Sequence, residues 1–222
     1  MNPAPESGMT AGQGRSTDTG RTATKRRSIV TAARTIFLRK GYGRASMDEI
    51  AALAEVSKQT VYKQFADKQQ LFATIITTDI DATERLTGSM VENLGVSQDL
   101  ESDLRRFARR HIVEVTQPDT VRLRRMIIAE AERFPELATA WYAQGPERGH
   151  ASLAEQIAIL AERGVLRAPD PLLAAQELNW LILSIPLNRA MFHGPDGTFS
   201  PVELDRYADE AVRIFLSAYR SE

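Results

Sequence analysis

No cysteine occurs among the 222 residues, which excludes a disulfide framework, a thiolate zinc site and a thiol redox switch. Histidine is nearly as scarce. His111, His150 and His193 are well separated, and none stands at ligand spacing from another or from a carboxylate, so neither a metal ion nor a cofactor is expected. Long apolar runs are missing too. The longest one free of charge is Leu178 to Asn188, whereas crossing ~30 Å of hydrocarbon takes about 20 residues. No hydrophobic signal core opens the chain, so a soluble, cytoplasmic protein without membrane partners is expected. There is no Gly-rich phosphate loop and no Ser in a nucleophile elbow, and no catalytic residue is nominated.

Lysine is confined to one end. All five, Lys25, Lys40, Lys58, Lys63 and Lys68, precede Leu71. Over Met1–Gln70 twelve Lys and Arg face six Asp and Glu, a net of +6; over Leu71–Glu222 sixteen face twenty-three, a net of −7. The total of −1 therefore hides a basic front, which attracts a polyanion, and an acidic body, which does not. The first twenty residues hold eleven Gly, Ser, Thr and Pro without an apolar run, a composition expected of a disordered tail, drawn here as residues 1–23.

Within the basic front lies the most informative stretch, Ser46 to Leu71. Ser46 with Glu49 three residues on is a capping-box pattern, and Ile50, Leu53 and Ala54 then share one helical face. Ser57 caps a second, short helix on which Val61 and Phe65 point one way while Gln59, Tyr62 and Lys63 face out. Asp67 with Gln70 marks a third start near Lys68. Two short helices joined by a tight turn, the second presenting Gln, Lys and Thr, form the helix-turn-helix layout, in which the second helix enters the major groove. Gln pairs with adenine, Lys with guanine acceptors, and Thr with a base edge or thymine methyl. Ser46, Tyr62 and Lys68 are assigned to phosphate, where contacts set register. The candidate DNA-binding residues are Arg44, Ser46, Ser57, Lys58, Gln59, Thr60, Tyr62, Lys63 and Lys68. A plain three-helix bundle with a polar face fits the caps and spacing as well; the charge distribution favours DNA. Ahead of this stretch, Ile29, Ala32, Ala33, Ile36 and Phe37 form the stripe of an amphipathic helix that stops at Gly41. Its leading Lys25-Arg26-Arg27 is either a DNA-following arm or a solvated one.

Ser46, Ile50, Ala51, Ala54, Val56, Ser57, Thr60, Tyr62, Phe65, Lys68 and Leu71, with the preceding helix and Gly41-Tyr42, resemble the N-terminal signature of TetR-type transcriptional regulators over about Arg26–Phe72. One departure is Glu55, where the family usually has Gly in the inter-helix turn. More weakly, Leu123–Leu137 with Gly145-Pro146-Glu147-Arg148 resembles the C-terminal domain of the AefR-like subgroup. The resemblance implies an all-α protein: a three-helix DNA-binding domain, residues 24–70, followed by a helical ligand-binding and dimerisation domain, residues 71–222.

The residues of the body agree with an all-helical reading. Helices are expected from Lys68 to about Asn93, over Asp99–Val115, over Val121–Arg133 after a break at Pro118, and through Tyr142. A further break at Gly145-Pro146 precedes a helix over Ser152–Glu162. Pro171–Phe192, with Pro186 inside it, and Pro201–Tyr219 close the chain; no stretch alternates as a strand does. The last two helices are apolar on more than one face, which points to a homodimer closing a four-helix bundle through Leu178, Leu181, Ile185, Leu204, Tyr207, Ala211, Ile214 and Phe215. Burial within one subunit is the other reading of those faces. Candidate ligand-binding residues are Phe107, His111, Met126, Trp141 and Trp180; each also reads as core filling. Arg105, Arg106, Arg109 and Arg110, beside Glu101, Asp103 and Glu114, read as an ion-paired solvent face. The expectation is a homodimeric repressor of a near-palindromic operator, released by a small apolar effector. A DNA-binding activator or architectural factor without a ligand, and a helical enzyme or adaptor, are the rival classes.

Overall fold

The structure, a computed structural model, describes residues 14–194 and 199–221, with backbone alone for residues 14–20 and 81–90. It divides into two compact units at Ile75/Ile76, a few residues beyond the boundary expected after Gln70.

In the first unit, α1 spans Gly14–Lys40, α2 Met47–Leu53 and α3 Lys58–Gln64, and α4 (Lys68–Val91) begins. Residues 14–23, expected as tail, are thus helical; once a helix is nucleated, each added residue gains a hydrogen bond at little cost. The expected tail over residues 1–13 lies outside the described residues. Ile29, Ala32, Ala33, Ile36 and Phe37 are buried, the stripe expected from their spacing. Gly41 ends α1 at φ +79, its N–H donating to the Phe37 carbonyl at 2.8 Å. Tyr42 then folds back, its ring 5.7 Å from Phe37 and 4.9 Å from Phe72, with those two edge-on at 5.8 Å.

Between α2 and α3 the chain makes a Schellman turn. Glu55 stands at φ +55, donating to the Ala52 carbonyl, while the Val56 N–H reaches Ala51 at 3.1 Å. Among the described residues Glu55 is the one non-glycine at positive φ. Ser57 and Asp67 cap α3 and α4 as expected, accepting from Thr60 N at 3.1 Å and Gln70 N at 2.8 Å. The capping box at Ser46 is half formed: its hydroxyl accepts from Glu49 N at 3.2 Å, but the Glu49 carboxylate pairs with Lys40 of α1.

In the second unit, the remainder of α4 is followed by a 3-10 turn, Leu94–Val96, and by α5 (Leu100–Thr116), α6 (Pro118–Ala129), α7 (Pro135–Tyr142), α8 (Arg148–Glu162), α9 (Pro171–His193) and α10 (Pro201–Tyr219). One apolar core joins Leu104, Phe107 and Ile112 of α5 to Leu153 and Ile157 of α8, Leu178 and Ile182 of α9, and Val212 and Phe215 of α10. Among the described residues the sole β feature is an isolated bridge between Leu166 and Arg220. No helix of the described residues is long and apolar enough to cross a membrane. The Leu94–Val96 turn lies so close to α8 that a Cβ on Gly95 would stand 3.0 Å from Gln156 Oε1 and 3.1 Å from Ile159.

Two expected breaks are resolved differently. Pro118 opens α6 instead of preceding it, because the N–H that proline lacks is unpaired anyway in a first turn; Pro135, Pro171 and Pro201 do the same. At Gly145-Pro146 the chain stays helical through a π-turn, Ala143–Glu147, which widens to take the ring and the missing donor. Helix α9 runs through Pro186.

The proposed dimer residues separate by burial. Leu178, Ala211 and Phe215 are core residues of the chain itself at 0%, 2% and 1% exposure, so they have no surface left for a partner and are withdrawn from that role. Leu204 and Tyr207 are partly buried against the same core. Leu181, Ile185 and Ile214 are exposed, and so are Leu172, Leu173, Phe192 and Val202, which were not nominated. Arg105 and Arg106 pair within α5 with Glu101 and Asp103, both at 2.8 Å, whereas Arg109 reaches Asp209 of α10 at 2.6 Å.

Candidate nucleic-acid interface and ligand cavity

Helix α3 has seven residues, too few to be stable alone, and its position comes from packing. Val61 and Phe65 are buried, and the Arg26 guanidinium lies 4.3 Å from the Phe65 ring while donating to the Gln64 carbonyl at 3.3 Å. From α1, the Ser28 hydroxyl donates to the Ala54 carbonyl at 3.0 Å. Held in this way, α3 turns Lys58, Gln59, Tyr62 and Lys63 outward, all exposed, with Thr60 half-buried. Arg26 of α1 is thereby bound to the end of α3, so the Lys25–Arg27 cluster is no free arm at its middle residue.

The nine nominated side chains are not equivalent. Gln59, Tyr62 and Lys63 are outward and make no hydrogen bond or ion pair among the described residues. Arg44 is exposed, its Nε donating to the Lys40 carbonyl at 3.3 Å. Ser46 and Ser57 are spent as caps, the latter also bonded to the Thr60 hydroxyl at 2.8 Å. Lys58 forms an ion pair with Asp48 of α2 at 2.7 Å; that hydrogen bond lifts its pKa above the ordinary lysine value. Lys68 departs from its expected part. Its ammonium donates to the carbonyls of Tyr42, Ala45 and Gly43 at 2.9, 3.0 and 3.3 Å and lies 4.6 Å from the Tyr42 ring centroid. It ties the α1–α2 loop to the start of α4, and its proton donors are consumed there.

The second unit contains a cavity of about 140 Å³. Phe107, His111, Trp141 and Trp180 line it, whereas Met126 is buried away from it. Phe107 and His111 stack at 5.4 Å, and His111 Nε2 lies 2.9 Å from Asn179 Oδ1. Burial pushes the His111 pKa below the ordinary value, against the opposing pull of Asn179, and burial does the same to His150. Arg124, from α6, also faces the cavity, and the π-turn contributes Gly145 and Pro146. Asp79 and Ile80 bring α4 to its wall. Sequence reasoning missed Arg124, Asn179 and His150. Asn179 carried a signal, being a lone amide within an apolar run; Arg124 lies among Arg122 and Arg125, and spacing alone does not single it out.

Residues 29–75 match the tetR family of bacterial regulatory proteins, and residues 102–221 match the C-terminal domain of AefR-like transcriptional repressors. A solved structure described as a TetR-family transcriptional regulator from Mesorhizobium loti MAFF303099 superposes with a TM-score of 0.85 at 42% identity, covering 90% of this chain and 98% of that one. The HTH-type transcriptional activator FasR of Mycolicibacterium smegmatis is 37% identical over 57 residues, 26% of each chain. The DNA-binding transcriptional repressor TetR of Mycobacteroides abscessus is 40% identical over 48 residues, 22% of this chain and 25% of that one. The chain thus spans about a quarter of the length of these curated relatives.

Proposed function

This chain belongs to the TetR family of bacterial regulatory proteins, transcriptional regulators and not enzymes, and from that premise we propose a homodimeric repressor that binds a near-palindromic operator and is released by a small effector. The observation that carries the reading is the outward presentation of Gln59, Tyr62 and Lys63 on a helix whose opposite face is locked by Val61 and Phe65. A helix fixed so firmly keeps its side chains in register with base edges. Gln59 and Lys63 read bases, Arg44 and Tyr62 meet phosphate, and Lys58 joins them by exchanging Asp48 for DNA.

Helix α4 couples the two functions. It starts at the Lys68 clamp and supplies Asp79 and Ile80 to the cavity wall, so a molecule in the cavity bears on the helix that carries the reading head. The effector releases DNA only by as much as it prefers the non-binding arrangement. FasR, described as an activator, supports a second reading in which the same machinery recruits transcription. Promoter output with the protein present and absent distinguishes the two.

The DNA reading is tested by sequencing the genomic fragments that the purified protein selects, then footprinting them. One protected near-palindrome is expected. Gln59→Ala and Lys63→Ala should each relax base preference at one position per half-site, with ~1–3 kcal/mol lost per good contact. Absence of any protected site sinks the reading.

A further inference from the structure

Arg124 stands out among the cavity residues. Its guanidinium carbon lies 5.1 Å from the Trp141 ring centroid, and its Nε is buried without a hydrogen-bond partner. Among the described residues it forms no ion pair, and neither Asp79 nor Glu114, the two carboxylates on the cavity wall, bonds to it. Burial depresses its pKa, opposed by the Tyr142 hydroxyl. A guanidinium always carries charge, and an unpaired buried donor costs free energy that a hydrogen-bonding anion returns. Aromatic side chains make up much of the remaining wall: Phe107, Trp141 and Trp180 face the same space, beside the polar His111, His150, Thr120 and Asn179. A cavity of about 140 Å³ is the size of those that take up one benzene ring, ~150 Å³.

We propose that this cavity selects a small aromatic carboxylate, its ring held among Phe107, Trp141 and Trp180 and its carboxylate hydrogen-bonded to Arg124. This deepens the effector reading of the cavity, on which it rests, and replaces a purely apolar ligand by an amphiphilic anion. The planar fork of arginine matches a carboxylate bidentately, and the stacking on Trp141 orients that fork. His111 is held neutral and tied to Asn179, so it supplies shape and no competing cation near neutral pH.

The chain has two tryptophans, Trp141 and Trp180, and both line the cavity, so selectively excited tryptophan fluorescence reports on its wall. The full-length protein is titrated with benzoate, benzamide and benzylamine, three probes of one shape and different charge. Benzoate should perturb the fluorescence with an affinity roughly tenfold or more above that of benzamide, the margin of a charge-assisted hydrogen bond. Arg124→Gln should erase this preference, and Arg124→Lys, which keeps the charge but not the fork, should retain part of it. Thermal unfolding checks that both variants fold; if Arg124→Gln does not, Arg124→Lys decides, and an undiminished preference there overturns the proposal. Equal binding of benzamide, preference for benzylamine, or no response to any probe also overturns it. Operator retardation run beside the titration separates the two readings. Release by benzamide but not benzoate sinks the charge selection alone, whereas benzoate binding without any change in DNA affinity sinks the effector reading alone.

Discussion

An ammonium has three protons to place, and Lys68 has placed them: three loop carbonyls receive them, with the Tyr42 ring beneath. Its value lies in holding the α1–α2 loop, which carries Arg44. Lys68→Met should therefore cost about 1–3 kcal/mol of stability in urea unfolding. It should leave the salt dependence of DNA binding unchanged, because that slope counts neutralised phosphates. A reduced slope in a variant of full stability returns Lys68 to the phosphate. His111 makes a second residue-scale prediction. Its folded pKa is depressed by burial, so as pH falls through about 6.5, its ordinary value, the unfolded chain takes up a proton that the folded chain refuses. Stability is then present above that pH and is lost below it, towards the folded pKa. His111→Gln should flatten the decline, and His150, shifted the same way, contributes to what remains.

At the scale of elements, the turn between α2 and α3 sets the angle of the reading helix, and it is built around a residue poorly suited to it. Glu55 at φ +55 bears the left-handed cost of about 1–2 kcal/mol, of which glycine would return part after its larger unfolded-state entropy of ~0.5–1 kcal/mol. Glu55→Gly should raise the unfolding midpoint of the protein by the equivalent of ~0.5 kcal/mol, and Glu55→Val, β-branched, should lower it. A Gly variant less stable than the parent contradicts this account of the turn. The departure at Glu55 was visible from the resemblance; that the turn keeps its geometry regardless was not. The π-turn at Ala143–Glu147 shows the reverse case. Gly-Pro reads as a stop because each residue weakens a helix, yet packing of α7 and α8 around the cavity keeps the backbone coiled and widens one turn.

At the scale of the whole molecule, the proposed homodimer rests on what the chain leaves uncovered. Leu181, Ile185, Phe192 and Ile214 are exposed apolar side chains on the last two helices, and Phe192 is 83% exposed. On the proposed homodimer, Ile185→Glu with Phe192→Glu should shift sedimentation from dimer to monomer and abolish tight operator binding, since helix-turn-helix dimers read two half-sites with paired helices ~34–36 Å apart. Leu178→Ala should instead cost about 2–5 kcal/mol of subunit stability and leave the stoichiometry unchanged, because Leu178 is fully buried within one chain. A monomeric parent protein removes the dimer from the proposal.

Most helix positions, the caps at Ser57 and Asp67 and the outward trio Gln59, Tyr62 and Lys63 follow from the sequence, because they depend on periodicities and hydrogen bonds that close within a few residues. The charge division and the absence of thiol chemistry are likewise properties of composition. Which lysine is free and which is clamped, which side of α9 and α10 is core, and which arginine faces a cavity depend on groups far apart in the chain. Lys68 meets Tyr42, Arg109 meets Asp209 and His111 meets Asn179 only after folding has brought their helices together. Local patterns state what a segment prefers; the neighbours that satisfy or expose each side chain are decided by the tertiary structure.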